Sequence, residues 1–245
     1  MRRFFAPPEN FSQTEISLNL EESRHLRDVL RLHTGSTVAV FDGAGREFLC
    51  RIQTTGRRDE SARMQIIEQT IPPAPESPLD LTLAVALLKG EKFDLVVQKS
   101  VELGVTRIVP LATARADVKI KDERDAAKKL ERWQRIALEA AKQSGRAVIP
   151  KIEMPIEFEN FLPNSNGKRF LFAERGGENL PQNLSLAKEN LTAVVGAEGG
   201  WEDAEIAAAF ANGFNIITLG GRILRAETAA ITVVALLQHL NGDLR

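Results

Sequence analysis

Val194-Val195-Gly196-Ala197-Glu198-Gly199-Gly200-Trp201 and Leu219-Gly220-Gly221-Arg222-Ile223-Leu224-Arg225-Ala226-Glu227-Thr228 are the two runs on which the reading of this chain turns. Each follows a short β-branched segment, Thr192–Val195 and Asn215–Thr218, and each precedes a helix-like stretch. Glycine lets the main chain turn with positive φ and lets a ligand approach the backbone without meeting a Cβ. In open α/β sheets ligands bind beyond the carboxyl ends of the strands. A third loop fits the scheme, because the strand-like Lys168–Ala173 runs into Glu174-Arg175-Gly176-Gly177. One glycine pair is ordinary strand-to-helix punctuation. Three such loops carrying Glu and Arg argue for a site.

Working outward, strand and helix patterns alternate from Leu79 onward. Leu79–Leu87 reads as a buried strand, Glu91–Leu103 as a helix stopped by Gly104, and Thr106–Leu111 as a strand. Asp122–Gln143 reads as a long helix closed by Ser144-Gly145, and Ala147–Ile152 as the next strand. Glu202–Asn212 is a helix whose early acids, Glu202, Asp203 and Glu205, suit the positive end of the helix dipole. The pattern predicts a mostly parallel sheet covered on both faces. The last helix, Thr228–Leu240, is apolar around almost its whole circumference, so it must be buried on more than one side. Sheet plus partner subunit, hence a homodimer, is the reading adopted; burial within one chain is its competitor.

Before this lies Ile71-Pro72-Pro73-Ala74-Pro75-Glu76-Ser77-Pro78, where four prolines favour an extended linker over helix or central strand. The expected domains are therefore 1–72 and 73–245. The first is patterned for strands: Thr37–Phe41 and Glu47–Ile52 flank the turn Asp42-Gly43-Ala44-Gly45, and Arg63–Ile67 adds another, predicting a small β-rich barrel with one helix. Residues 1–75 hold ten basic residues, all arginine, against ten acids. Guanidinium offers phosphate a planar fork and stacks on bases. On an expected helix Glu21–Leu32, Arg24, Arg27 and Arg31 share one face while Leu26, Val29 and Leu30 dock the other. A solvated face paired with Glu21, Glu22 and Asp28 is the alternative.

Composition narrows the class. Apolar residues make up 43% and charged residues 27%, with net charge −1, as in an ordinary globular protein. The single cysteine, Cys50, excludes an internal disulfide and suits a reducing cytoplasm. Met1–Phe5 resembles a signal start, but Pro7-Pro8 interrupts it before an apolar core forms. The longest apolar run, Ala229–Leu237, is too short for a bilayer, so no membrane partner is expected. His25, His33 and His239 lack metal-like spacing, and CxxC, HExxH and EF-hand patterns are missing from the sequence. No metal is expected.

The chain resembles the bacterial 16S ribosomal RNA uridine-N3 methyltransferase family, S-adenosylmethionine-dependent enzymes of the trefoil-knotted SPOUT class. The resemblance runs along essentially the whole length. Met1-Arg2-Arg3-Phe4-Phe5 and His25–Arg31 look like the family's RNA-binding, PUA-like domain. Gly90-Glu91-Lys92 through Val105 looks like its first strand–helix unit, and Glu139–Arg146 like its long middle helix and following turn. The two glycine loops match its most diagnostic motifs. Ala197 and Gly221 stand where the family usually has Pro, and Ala226 where it has Thr; no charged group is lost, though glycine for proline loosens a loop.

The resemblance implies an α/β SPOUT-type sheet whose C-terminal segment is threaded through a preceding loop, against the usual rule for connections, plus the PUA-like β-barrel. It implies a cytoplasmic enzyme that transfers methyl from S-adenosylmethionine to N3 of a uridine in 16S rRNA, on free rRNA or the small ribosomal subunit. Ala173, Glu174, Val195, Gly196, Glu198, Gly199, Gly200, Leu219, Gly220, Ile223 and Leu224 would hold the cofactor. Arg2, Arg3, Arg24, Arg27 and Arg31 would bind RNA. Ionising an imide roughly 2 pKa units above neutral costs about 3 kcal/mol, which a cation beside the developing imidate offsets. Arg225 is the candidate cation, with a structural pair to Glu198 or Glu227 as its competing role. Glu198 or Glu227 is the candidate proton acceptor. A phosphate-binding metabolic enzyme using Gly196–Gly200 as an anion cradle and a non-catalytic RNA-binding protein are the alternatives; GxGxxG and GxxxxGK[ST] are both missing.

Overall fold

Strand–helix alternation after the proline-rich linker builds a sheet whose central strands are buried on both faces. The structure, a computed structural model, describes residues 1–181 and 190–244. It divides into two units, Met1–Glu76 with Ala141–Ile149, and Ser77–Ala140 with Pro150–Arg245. The break thus falls within the proline-rich stretch, four residues beyond the expected boundary, and residues 141–149 group with the first unit.

In the first unit, β1 (Arg3–Phe5), β2 (Glu15–Ser17), β3 (Thr37–Phe41), β4 (Glu47–Thr54) and β5 (Arg63–Thr70) form one sheet in the order β1-β3-β4-β5-β2. The expected hairpin is present, with Thr37 opposite Arg51 and Phe41 opposite Glu47. Phe4, Ile16, Leu26, Val38, Val40, Ile52 and Met64 form its core. Residues 141–149 belong here for a chemical reason. The Arg3 guanidinium donates to the carbonyls of Ala141, Lys142 and Arg146 at 3.2, 2.9 and 3.0 Å and to the Glu47 carboxylate at 2.7 Å. Arg146 pairs with Glu76, and Lys142 with Glu22 at 2.7 Å. This network also keeps Ala147 and Val148 out of the expected strand Ala147–Ile152, since Val148 bridges to Gly43 instead.

The expected helix Glu21–Leu32 is cut short. Here α1 (Leu20–Arg24), capped by the Asn19 side chain accepting from Glu22 N–H, passes into a π-helical turn over His25–Val29. The turn ends with Arg31 at φ 51°, the one described non-glycine residue in the left-handed region. Widening the turn seats Leu26 in the core but leaves Val29 65% exposed, so Val29 does not dock as expected.

The second unit carries β6 (Leu81–Ala86), α2 (Lys92–Glu102), β7 (Arg107–Ala112), α3 (Glu123–Ser144), β8 (Lys151–Ile152), β9 (Ile156–Glu157) and α4 (Phe158–Phe161). Then follow β10 (Lys168–Phe172), β11 (Glu178–Asn179), β12 (Leu191–Val195), α5 (Asp203–Ala211), β13 (Asn215–Thr218) and α6 (Ala226–Asn241). Strand order is β11-β13-β10-β12-β6-β7-β8, with β9 also on β7. Every pairing in it is parallel. The mostly parallel α/β sheet and the small β-rich unit are the expected fold class. Strands β12 and β6 are the most buried, as unbroken apolar runs in a doubly covered sheet should be. Strand β13 enters between β10 and β11, two strands that precede it.

Helix α5 begins as its acids suggest. Glu202 is the N-cap, and Glu202 and Glu205 form a reciprocal capping box. Helix α6 buries Ala226, Ala230, Val233, Val234, Leu237 and Gln238, while Ile231, Ala235 and Leu236 remain half-buried.

Candidate functional site

Three strands, β10, β12 and β13, lie side by side and point the same way, so their carboxyl ends bring their loops together. The loops enclose a cavity of about 270 Å³. Phe172, Ala173 and Glu174 come from the first loop and Val195, Gly196, Ala197, Glu198, Gly200 and Trp201 from the second. Leu219, Gly220, Arg222, Ile223, Leu224 and Arg225 come from the third, with Ala226 and Ala229 of α6 behind them.

Of the residues expected to hold a cofactor, all but Gly199 line this cavity. A Cβ at Gly199 would lie 2.9 Å from Arg115 Cβ, so this glycine instead permits close approach of the loop after β7. Arg115 donates to the Gly199 carbonyl at 3.2 Å. Gly196 is needed for a different reason, since a Cβ there would lie 2.9 Å from the Trp201 indole. That indole donates to the Phe172 carbonyl at 2.9 Å and stacks on Phe158 at 4.9 Å, tying the first loop to the second. Gly220, at φ 85°, and Gly221 face open space, where an added Cβ would meet nothing within 4 Å. Their freedom leaves the third loop's backbone open to a ligand.

Charge is unevenly distributed around the walls. Arg225 is the N-cap of α6 and exposed; among the described residues neither it nor Arg222 has an ion-pair partner. The pairing of Arg225 with Glu198 is therefore not formed. Glu198 takes Lys92 Nζ instead, at 2.8 Å. Burial raises the Glu198 pKa, but the Lys92 hydrogen bond, the backbone N–H groups of Glu198 and Lys89, and the Lys92 charge outweigh it. The carboxyl is held below the usual range. Glu227 has a buried oxygen, Oε2, with no hydrogen-bond partner among the described residues.

Sequence reasoning missed Phe172, Trp201, Arg222 and the α6 residues Ala226 and Ala229 as parts of the wall, and it missed Lys92. The signal for Lys92 was its place at the start of the helix after β6, but only the strand order shows that β6 neighbours β12.

In the first unit the arginines split. Arg3 is 11% exposed and its guanidinium is engaged with Glu47 and three carbonyls, unlike the exposed cation expected from the sequence. Arg2 is exposed. Arg24 lies 3.8 Å from Asp59, and Arg27 pairs with Asp28 at 2.9 Å while donating to the Arg57 carbonyl at 2.6 Å. Arg31 leaves the helix, so the three do not form the regular face expected of them. Among the described residues no cluster of three or more His, Cys, Asp or Glu could hold a metal, and no helix is long and apolar enough to cross a membrane.

Comparison with known proteins decides the family. The RNA methyltransferase domain profile matches residues 75–238, and the RNA methyltransferase PUA domain profile matches residues 18–63. The chain belongs to the RNA methyltransferase family. It is 36% identical to ribosomal RNA small subunit methyltransferase E of Mesomycoplasma hyopneumoniae, over 94% of this chain and 96% of that one. It is 34% identical to the protein of the same name from Synechocystis sp., over 97% of this chain and 77% of that one. Among solved structures, a ribosomal RNA small subunit methyltransferase E from Neisseria gonorrhoeae bound to S-adenosyl methionine matches at TM-score 0.89 and 34% identity, covering 100% of both chains. A methyltransferase from Legionella pneumophila, in complex with SAM, matches at TM-score 0.88 and 33% identity, covering 99% of this chain and 98% of that one. This protein is accordingly an RNA methyltransferase, with the α/β domain of that family.

Proposed function

We propose that this methyltransferase uses S-adenosylmethionine to methylate N3 of a uridine in 16S rRNA, with cofactor and target base meeting in the cavity of the second unit. The observation that carries the reading is the convergence of three carboxyl-edge loops on one cavity with Arg225, which has no ion-pair partner among the described residues, at its edge. The residues suit such a cofactor. Gly196, Gly200, Leu219, Gly220, Ile223 and Leu224 offer main-chain groups, Ala173, Val195 and Trp201 offer apolar walls, and Glu174 and Glu198 offer carboxylates. The open space beside Gly220 and Gly221 leaves room that side chains would fill. When bound, the cofactor supplies an activated methyl group on a cationic sulfur.

The protein's share is orientation and charge. In-line displacement needs nucleophile and leaving group aligned and close, which opposed loop walls provide. Arg225 stabilises the uridine as its N3 proton leaves, with guanidinium donors that no acid among the described residues engages. Glu198 and Glu227 are the two carboxylates near enough in sequence to serve the proton. Arg2, Arg24, Arg27 and Arg31 of the PUA-like unit hold RNA phosphates. Two copies pair through the half-buried face of α6, and the enzyme works in the cytoplasm on free rRNA or the small subunit.

Arg225→Ala tests the central role. Cofactor affinity should stay nearly unchanged while turnover falls about 100-fold, the scale of losing one charge-stabilising donor. Unchanged turnover would remove Arg225 from the chemistry.

A further inference from the structure

Glu198 is held more firmly than a side chain on a cavity wall needs to be. Lys92, the first residue of α2, donates its ammonium to Oε1 at 2.8 Å, and the backbone N–H groups of Glu198 and Lys89 point at the same carboxylate. The Lys92 side chain is 36% exposed and Glu198 25%, so the pair is partly shielded rather than a loose surface contact. Lys89 is itself tied to Asp117 at 2.7 Å, and Arg115 clamps the carbonyl of Gly199 next door. The loops after β6, β7 and β12 are thereby cross-linked by charge around one acid. A carboxylate has about four acceptor sites, so one engaged in this way keeps capacity for a donor in the cavity it lines.

We propose that Lys92 is a positioning residue of the methyl-transfer site, fixing the Glu198 carboxylate on the cavity wall so that it accepts a hydrogen bond from a hydroxyl or ammonium of the cofactor. This rests on the reading of the cavity as the cofactor site. It assigns Glu198 to binding and leaves Glu227, whose buried Oε2 has no hydrogen-bond partner among the described residues, as the remaining candidate for the proton. A carboxylate stabilised in its charged form is a weak base, so proton transfer to it is uphill. The charged groups facing Glu198 are Lys92 from α2, Lys89 and, through it, Asp117; Arg222, Arg225 and Glu174 share the cavity walls.

With Lys92 present the Glu198 pKa is depressed, and binding that needs the ionised carboxylate persists to low pH. Without Lys92, burial raises that pKa, and affinity is lost at a higher pH as the solution is acidified.

The test is titration calorimetry of the full-length protein with S-adenosylmethionine and with methylthioadenosine, which keeps the ribose but lacks the amino-acid tail, from pH 8 down to about pH 3.5, so that the range includes the acid limb of a carboxyl held below its ordinary value. Lys92→Met should weaken S-adenosylmethionine about tenfold and move the acid limb upward, and Lys92→Arg should restore both. Weakening of both ligands assigns the ribose hydroxyls as donors; weakening of S-adenosylmethionine alone assigns the ammonium. If Lys92→Met melts early, Glu198→Gln replaces it and should lower affinity and abolish the acid limb. Wild-type affinity and pH profile in Lys92→Met or Glu198→Gln, or a failure of arginine to rescue, overturns the proposal while the cofactor reading stands. Failure of the wild type to bind S-adenosylmethionine overturns that reading itself.

Discussion

At the scale of single residues, the Arg3 guanidinium closes the first unit by joining β1 to the carbonyls at the end of α3. Its partner Glu47 is 3% exposed, so Arg3→Ala leaves a buried carboxylate without its cation. Breaking such a pair costs about 3–5 kcal/mol, and urea denaturation should show a loss of that size. A change below about 1 kcal/mol would mean the pair behaves as a surface ion pair. Cys50 gives a second measurement. Burial pushes its thiol up to about 12, so thiolate is nearly absent at neutral pH. Alkylation at pH 8 should be negligible in the native protein and rapid in denaturant; fast native alkylation would contradict the burial. These two residues also mark how far sequence reasoning reaches. The place of Cys50 in a strand was legible from the expected strand Glu47–Ile52. That of Arg3 was not, because Met1-Arg2-Arg3 looks basic and free until residues more than a hundred positions away supply three carbonyls.

At the scale of elements, the capping box of α5 does two jobs. Glu205 Oε2 accepts from the Glu202 N–H at 2.9 Å, and Oε1 accepts from the Ala114 N–H of the loop after β7, also at 2.9 Å. Glu205→Ala removes a cap worth about 1 kcal/mol and an inter-loop hydrogen bond of similar size. A lowered melting temperature is expected, and an unchanged one would show that water replaces both. For α6, Leu236→Glu places a charge on the half-buried face proposed for pairing. Sedimentation should report a dimer for the parent and a monomer for the variant; a dimer retained in the variant would move the interface elsewhere. Element identity was legible wherever periodicity and caps agreed, as in α2, α3, α5 and α6, whose ends lie within two residues of expectation. It failed at His25–Val29, where seating Leu26 takes a π turn that no 3.6-residue pattern announces.

At the scale of the whole molecule, the sheet order explains why the site is where it is. Glycine loops far apart in the chain become neighbours because β10 pairs with both β12 and β13. Their glycines and charges were legible as a site from the strand–glycine–helix pattern alone. The placement of β13 between β10 and β11 was not, since nothing local distinguishes it from a strand added at an edge. The same limit hid Lys92, which reaches Glu198 only because β6 lies beside β12. Replacing Arg24, Arg27 and Arg31 together probes the other unit. RNA affinity should fall and its logarithmic salt slope should shrink by about 2–3; an unaltered slope would place the phosphate contacts elsewhere. The most direct measurement of the whole account is incubation with labelled S-adenosylmethionine and small ribosomal subunits lacking the modification, followed by nucleoside mass analysis. Label recovered in a uridine methylated at N3 is the predicted result. Label in another nucleoside, or none in RNA while the cofactor binds, would contradict it.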